Sequence, residues 1–258
     1  MLEILHEDNH ILVAVKPQNI PTQADSSRDK DMLTLVKEYL KEKYDKPGNV
    51  FVGLVHRLDR PTGGVMVFAK TSKAAERLSE QIRAGEFEKH YYAVTVGTPK
   101  EPSDRLTDYL VKDPSTNTVR IGTRVEEGAK YAELNYHVLA TTASVALLDV
   151  KLGTGRSHQI RVQLASRKNP VFGDVRYGGD CLAKGHNLAL WAYELRFVHP
   201  VTKVIMAFRA CPPVDAVPWS SFKTLEAIFN TVTSSADCIK VSLPNYDDED
   251  ERKRGVKK

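Results

Sequence analysis

Between residues 2 and 210 the apolar positions mostly alternate or form short unbroken runs, and they recur at helical spacing in only a few windows. Residues 2–6 and 11–15 predict two short strands, with Asp8-Asn9 at the turn and Lys16-Pro17 closing the second. The polar stretch 23–31 reads as a loop. Met32, Leu35, Val36, Tyr39 and Leu40 then fall on one helical face behind Asp31, a fitting N-cap, and Pro47-Gly48 ends that region. Strands are predicted at 51–55 and 65–69. Ser72 is placed as the cap of a helix carrying Ala75, Leu78 and Ile82, with Gly85 at its end. Further strands fall at 91–96, 132–140, 144–152, 188–197 and 204–210. A short helix at 157–165 follows Gly153-Thr154-Gly155, and a last one runs from Ser220 or Ser221 through Phe222, Leu225, Ile228 and Phe229. Many strands with a few interspersed helices predict an α+β domain on a mixed, mainly antiparallel sheet with flanking helices.

Composition narrows the classes without choosing one. At 258 residues, with 41% hydrophobic and 27% charged positions, the chain is long enough for a sizeable core. Cys181, Cys211 and Cys238 are far apart and form no CxxC pair, so neither a disulfide framework nor a zinc site is expected, and a reducing cytoplasm fits. The first residues lack the pattern of a signal peptide, and no apolar run approaches a membrane span. The net charge is +4. Asp247, Asp248, Glu249, Asp250 and Glu251 carry −5 against +5 from Arg252, Lys253, Arg254, Lys257 and Lys258, so residues 1–246 hold the whole excess. That excess permits a polyanionic partner without requiring one.

The densest chemistry lies in His56-Arg57-Leu58-Asp59-Arg60-Pro61-Thr62-Gly63-Gly64, between two apolar runs. A carboxylate there is expected to be half buried, and a buried carboxylate costs several kcal/mol unless paired. A surface ion pair is the plainer alternative, and the apolar flanks argue against it. The segment is not a kinase catalytic loop, since Leu58 breaks the His-Arg-Asp spacing and no Asp-Phe-Gly follows. Gly153-Thr154-Gly155 lacks the third glycine of a dinucleotide fingerprint because His158 holds that place. With Arg156, Ser157, His158, Gln159 and Arg161 behind it, that segment can be an anion site or an ordinary polar turn. Lys89-His90-Tyr91-Tyr92 can be core packing or a stacking platform, and the 173–179 segment, Gly173 to Gly179, reads as a turn.

Taken in order, these segments resemble the RluA-type family of RNA pseudouridine synthases. The resemblance covers the run ending in Lys16-Pro17, the stretch 56–71 around Asp59, Lys89-His90-Tyr91, the run from Gly155 to Arg161, the Gly-Asp turn within 170–178, and Phe197-Val198-His199-Pro200. It implies a catalytic domain over 1–213, leaving 214–246 as a C-terminal helical extension and 247–258 as a charged, disordered tail. Two positions depart from the family pattern: Gly63 stands where serine is common, and Trp191 where histidine is common. The strands begin at residue 2, so RNA capture is expected to rest on the catalytic domain itself.

The resemblance implies isomerisation of uridine to pseudouridine in structured RNA, a ribosomal or transfer RNA stem-loop, by a monomer without cofactor or metal. It assigns Asp59, Tyr91 and Arg161 to catalysis. Asp59 acts as nucleophile or base, and Arg161 keeps it ionised by a pairing worth about 4 kcal/mol at 4 Å and an effective dielectric near 20, before desolvation. Tyr91 stacks on the uracil. Arg57 is a candidate to fill the space of the flipped base, and Arg60, Arg156 and Lys16 to contact phosphates, with His56, Thr62, His158 and Gln159 completing the RNA-binding set. The competing readings are a non-catalytic RNA-binding protein of the same fold and a hydrolase using Asp59 with His56 or His158.

Overall fold

The computed structural model describes residues 2–179, 185–223 and 225. Its centre is one 11-stranded sheet in the order β1-β2-β4-β10-β5-β9-β8-β6-β7, with β3 paired to β4 and β11 to β10. In chain order these are β1 Glu3–Glu7, β2 Ile11–Lys16, β3 Gly53–Leu54, β4 Gly63–Ala69, β5 Glu88–Val96, β6 Ser103–Asp113, β7 Thr118–Gly122, β8 Lys130–Thr141, β9 Val145–Leu152, β10 Leu190–Val198 and β11 Ile205–Arg209. The helices are α1 Met32–Lys43, α2 Ser72–Ala84 and α3 Gln159–Ser166. The ladders are antiparallel except β4–β10, a parallel contact of Gly63 with Trp191 and Gly64 with Ala192. The predicted α+β class holds.

Local chemistry explains most boundaries. β2 and β4 are buried along their whole length, which is why their sequences are nearly continuous apolar runs. Asp8 closes the first hairpin by accepting from the His10 and Ile11 amides at 2.7 and 2.9 Å. Asp31 caps α1 through the Thr34 amide at 3.0 Å. The cap of α2 is Thr71, accepting from the Ala74 amide at 3.1 Å, one residue before the expected Ser72. Gly85 follows α2 with φ +77°, a conformation that glycine adopts without penalty.

Three expectations change. The strand expected over 51–55 shrinks to Gly53–Leu54. The helix expected from residue 157 starts at Gln159, because His158 takes a left-handed φ of 51° just ahead of it. β6 and β7 are absent from the sequence prediction. The inward positions of β6 run Leu106, Asp108, Leu110, and Asp108 accepts from Gln163 and Arg167 at 2.7 Å, which hides the strand period. Trp219–Ser221 form a single 3-10 turn, and most of the helix expected beyond it, like the charged tail, lies outside the described residues.

Candidate active site

Asp59 sits on the turn that feeds β4, and outside groups hold that turn on both sides. The Thr62 amide donates to the Asp59 carbonyl at 2.9 Å, closing a β-turn. The Thr22 hydroxyl donates to the Leu58 carbonyl at 2.8 Å and accepts from the Leu58 amide at 3.3 Å, so it stands in for a neighbouring strand. Lys16 is fully buried, and Nζ donates to the carbonyls of Pro17, Arg60 and Thr62 at 2.9, 3.0 and 2.7 Å. Hydrogen bonds to a charged group contribute about 1.5–3 kcal/mol each. Burial pushes the Lys16 ammonium down to about 7, with the Asp59 charge pulling it up and Arg60 pushing it further down.

His56 is half-buried and supports β4, the strand that the turn feeds. β4 pairs with β10 at Gly63 and Gly64 and with β3 at Phe68 and Ala69, and between them His56 Nε2 accepts the Val67 amide at 3.1 Å. Burial, and then the charge of Lys89, pushes this imidazole down to about 3, so it stays neutral.

The Asp59 side chain is 29% exposed and faces a cavity of about 1010 Å³, whose lining includes Arg57, Thr62, Lys89, Tyr91, Arg156 and Arg161. Oδ2 accepts from Arg161 Nη1 at 3.3 Å, and Oδ1 has no hydrogen-bond partner among the described residues. The sequence assigns Arg161 to Asp59, but the structure divides its guanidinium. Nε and Nη2 fork onto Asp174 at 2.7 and 2.8 Å, leaving Nη1 for Asp59. The Asp174 side chain is fully buried and also accepts from the Arg176 and Tyr177 amides at 3.0 and 3.1 Å. Burial pushes Asp174 up, yet Arg161 and the two amides outweigh it and hold the carboxyl below the usual range. The Tyr177 ring lies against the guanidinium at 5.1 Å.

A second chain of bonds reaches Asp59 through His158. The Tyr177 hydroxyl accepts the Val119 amide at 2.9 Å and lies 2.7 Å from His158 Nδ1. The other ring nitrogen, Nε2, lies 3.8 Å from Asp59 Oδ2. Burial pushes His158 below its ordinary value, opposed by the Asp59 charge.

Tyr91, on β5, is 7% exposed, and its hydroxyl has no partner among the described residues. Burial first and the Asp59 charge second hold its phenol above the ordinary value, so it presents a neutral ring. Arg57 is exposed on the cavity wall without a hydrogen bond or ion pair among the described residues. Arg156 donates Nε–H to the Tyr131 carbonyl at 2.8 Å.

Of the expected RNA-binding groups, Lys16 and Arg60 lie outside the cavity lining, while His56 and Gln159 line it and also bond within the protein. Lys16 holds the Asp59 turn, and His56 takes the Val67 amide on β4. Gln159 holds the next loop, accepting from the Arg156 amide and the Thr154 hydroxyl at 3.0 and 2.7 Å and donating to the Glu133 carbonyl at 2.9 Å. Arg60 lies outside the cavity against Asp25 and Asp29. Conversely, the sequence reading missed Thr22, Asp174 and Tyr177. A signal existed for Asp174, since an arginine in a helix as apolar as 159–164 needs an acid.

A carboxylate with a free oxygen, a neutral aromatic wall and a rooted guanidinium thus meet in one cavity with several basic residues. The family model described as RNA pseudouridylate synthase matches residues 10–166, and the chain belongs to that family of uridine-isomerising enzymes. An uncharacterized RNA pseudouridine synthase of Bacillus subtilis is 34% identical over 83% of this chain and 70% of its own length. Ribosomal large subunit pseudouridine synthase D of Yersinia pestis is 33% identical over 84% of this chain and 69% of its own. The solved human RNA pseudouridylate synthase domain containing 4 shares the fold with a TM-score of 0.69 at 24% identity, covering 82% of this chain and 88% of that one.

Proposed function

We propose that Asp59 carries the reaction on a uridine flipped into the cavity, with Tyr91 against the uracil and Arg161 fixing the carboxylate. The observation that carries this reading is the free Oδ1 of Asp59 beside Tyr91 in the cavity, with Oδ2 tethered to an arginine rooted in Asp174. In the isomerisation the N1–C1′ bond breaks, the base turns, and a C5–C1′ bond forms. C5 loses a proton, N1 gains one, and no electrons enter or leave. Asp59 serves as nucleophile at the ribose or as base on a ribose proton, and either role needs an unblocked carboxylate oxygen. Flipping the base costs a few kcal/mol, which Tyr91 stacking offsets by about 1–3 kcal/mol. Arg57 occupies the vacated stack, and Arg156 meets backbone phosphate. Arg60 reaches RNA by exchanging its aspartate partners for phosphate.

The substrate proposed first is a stem-loop of large-subunit ribosomal RNA, on the strength of the relatives' names, with transfer RNA as the alternative outcome. Residues 1–213 act as the catalytic domain, as a monomer. Pseudouridine mapping of both RNA pools after incubation with the protein tests the assignment. Asp59→Asn abolishes product while RNA binding persists, and Arg161→Met cripples turnover. Near-normal product from Asp59→Asn removes Asp59 from the mechanism.

A further inference from the structure

Lys89 is a half-buried cation on the cavity wall without a compensating charge. It makes no hydrogen bond or ion pair among the described residues. Its acidic neighbour Glu88 faces Lys151 and His90 at 2.9 and 3.2 Å. The charge that acts on Lys89 is that of Arg156, which repels it and, after burial, pushes the ammonium further below its ordinary value. Nζ rests against the glycine loop: a Cβ at Gly155 would lie 3.1 Å from it. Arg156, the next residue, has Nε fixed to the Tyr131 carbonyl and both Nη groups free of protein partners among the described residues. Two cations therefore stand together on the cavity wall with no acid between them, an arrangement that costs stability in the free protein.

The spacing says what balances them. Lys89 and Tyr91 are two apart on β5, so both project into the cavity from one face, about 7 Å apart along the strand. A nucleotide spans that separation between base and phosphate. We propose that Lys89 and Arg156 form an anion subsite that grips the phosphate of the nucleotide whose base lies on Tyr91. The proposal rests on the reading that a uridine enters this cavity, and it assigns Lys89 to binding.

The test measures binding of a fluorescein-labelled RNA hairpin with a uridine-rich loop by anisotropy across a salt series, with pseudouridine followed in the same samples. Lys89→Met keeps the stem and removes the charge. It is expected to bind the hairpin more weakly and to lower the slope of log affinity against log salt by about 0.7–0.9, so that the deficit changes about threefold between 50 and 200 mM salt. Lys89→Arg restores the slope. In the absence of RNA, Lys89→Met melts at a higher temperature than the parent, because an unbalanced, half-buried charge beside Arg156 has been removed; this separates lost binding from a damaged fold. Unchanged affinity and slope in Lys89→Met overturn the proposal, as does a weaker affinity with the parent's slope. If the parent makes no pseudouridine while the slope still falls in Lys89→Met, the phosphate subsite stands and the isomerase reading falls separately.

Discussion

Gly63 and Trp191 are far apart in sequence, yet in the structure they face each other across the β4–β10 contact. A Cβ at Gly63 would lie 2.6 Å from Trp191 Cε3 and closer still to Cζ3, where ordinary contact begins near 3.4 Å. The indole has little room to retreat. It is 7% exposed, and Nε1–H donates to the Ala210 carbonyl at 2.9 Å. Gly63→Ser therefore adds overpacking of about 1–3 kcal/mol and strains a hydrogen bond worth about 0.5–1.5 kcal/mol, a loss of about 2–4 kcal/mol in all. At about 2–4 °C per kcal/mol for a domain of this size, the melting temperature falls by roughly 5–15 °C. Trp191→His alone leaves a void and costs stability by cavity formation. Together the substitutions relieve each other, so the double variant is more stable than the sum of the singles by about 1–3 kcal/mol. Urea unfolding of the four proteins measures this cycle. Effects that add within about 0.5 kcal/mol would refute the coupling.

Asp174→Asn removes the charge that anchors Arg161. Breaking such a buried pair costs about 3–5 kcal/mol, so urea stability and pseudouridine formation fall together; a loss under about 1 kcal/mol with full turnover would count against Asp174 as the anchor. Glu7 governs acid stability: burial raises its pKa, but hydrogen bonds from Lys43, Lys70, Tyr44 and Tyr39 outweigh that and bring it down to about 2. The folded value is depressed below 4.5, so this contribution is complete above the unfolded value and is lost as pH falls through about 2. Discounted for the half-exposed Lys43, it is worth about 2 kcal/mol. Glu7→Gln should flatten the acid limb of stability against pH, and an unchanged limb would contradict the assignment.

What the sequence reveals depends on how locally each feature is encoded. β2 and β4 announce themselves because both faces are buried, and Asp31 and Gly85 because capping is written in one or two residues. β6 escaped notice because the inward-facing Asp108 serves α3, a partner some fifty residues away. The site divides in the same way. Asp59, Tyr91 and Arg161 lie in recognisable motifs, whereas the buried arginine's need for a second acid is met by Asp174 in a stretch that reads as a turn. Lys16 shows the opposite limit. Its sequence neighbourhood says only that a lysine ends a strand, and whether that charge meets phosphate or three carbonyls is decided by how the chain returns at residues 60–62.

The short β4–β10 contact has a consequence for how the enzyme can lose activity. The ladders among β1, β2 and β4 lie on one side of it, and those from β10 through β5, β9, β8, β6 and β7 on the other. Asp59 enters from the first half, and Tyr91 with Arg161 from the second. The two halves are joined at Gly63 and Gly64, and α2 straps them: it follows β4, and the Gln81 amide makes both bonds to the Val198 backbone at 2.8 and 2.9 Å. A parting along this seam would leave each half its own ladders while drawing the carboxylate away from the arginine and the ring. The reactive geometry belongs to neither half, so it is the first property lost when the halves come apart.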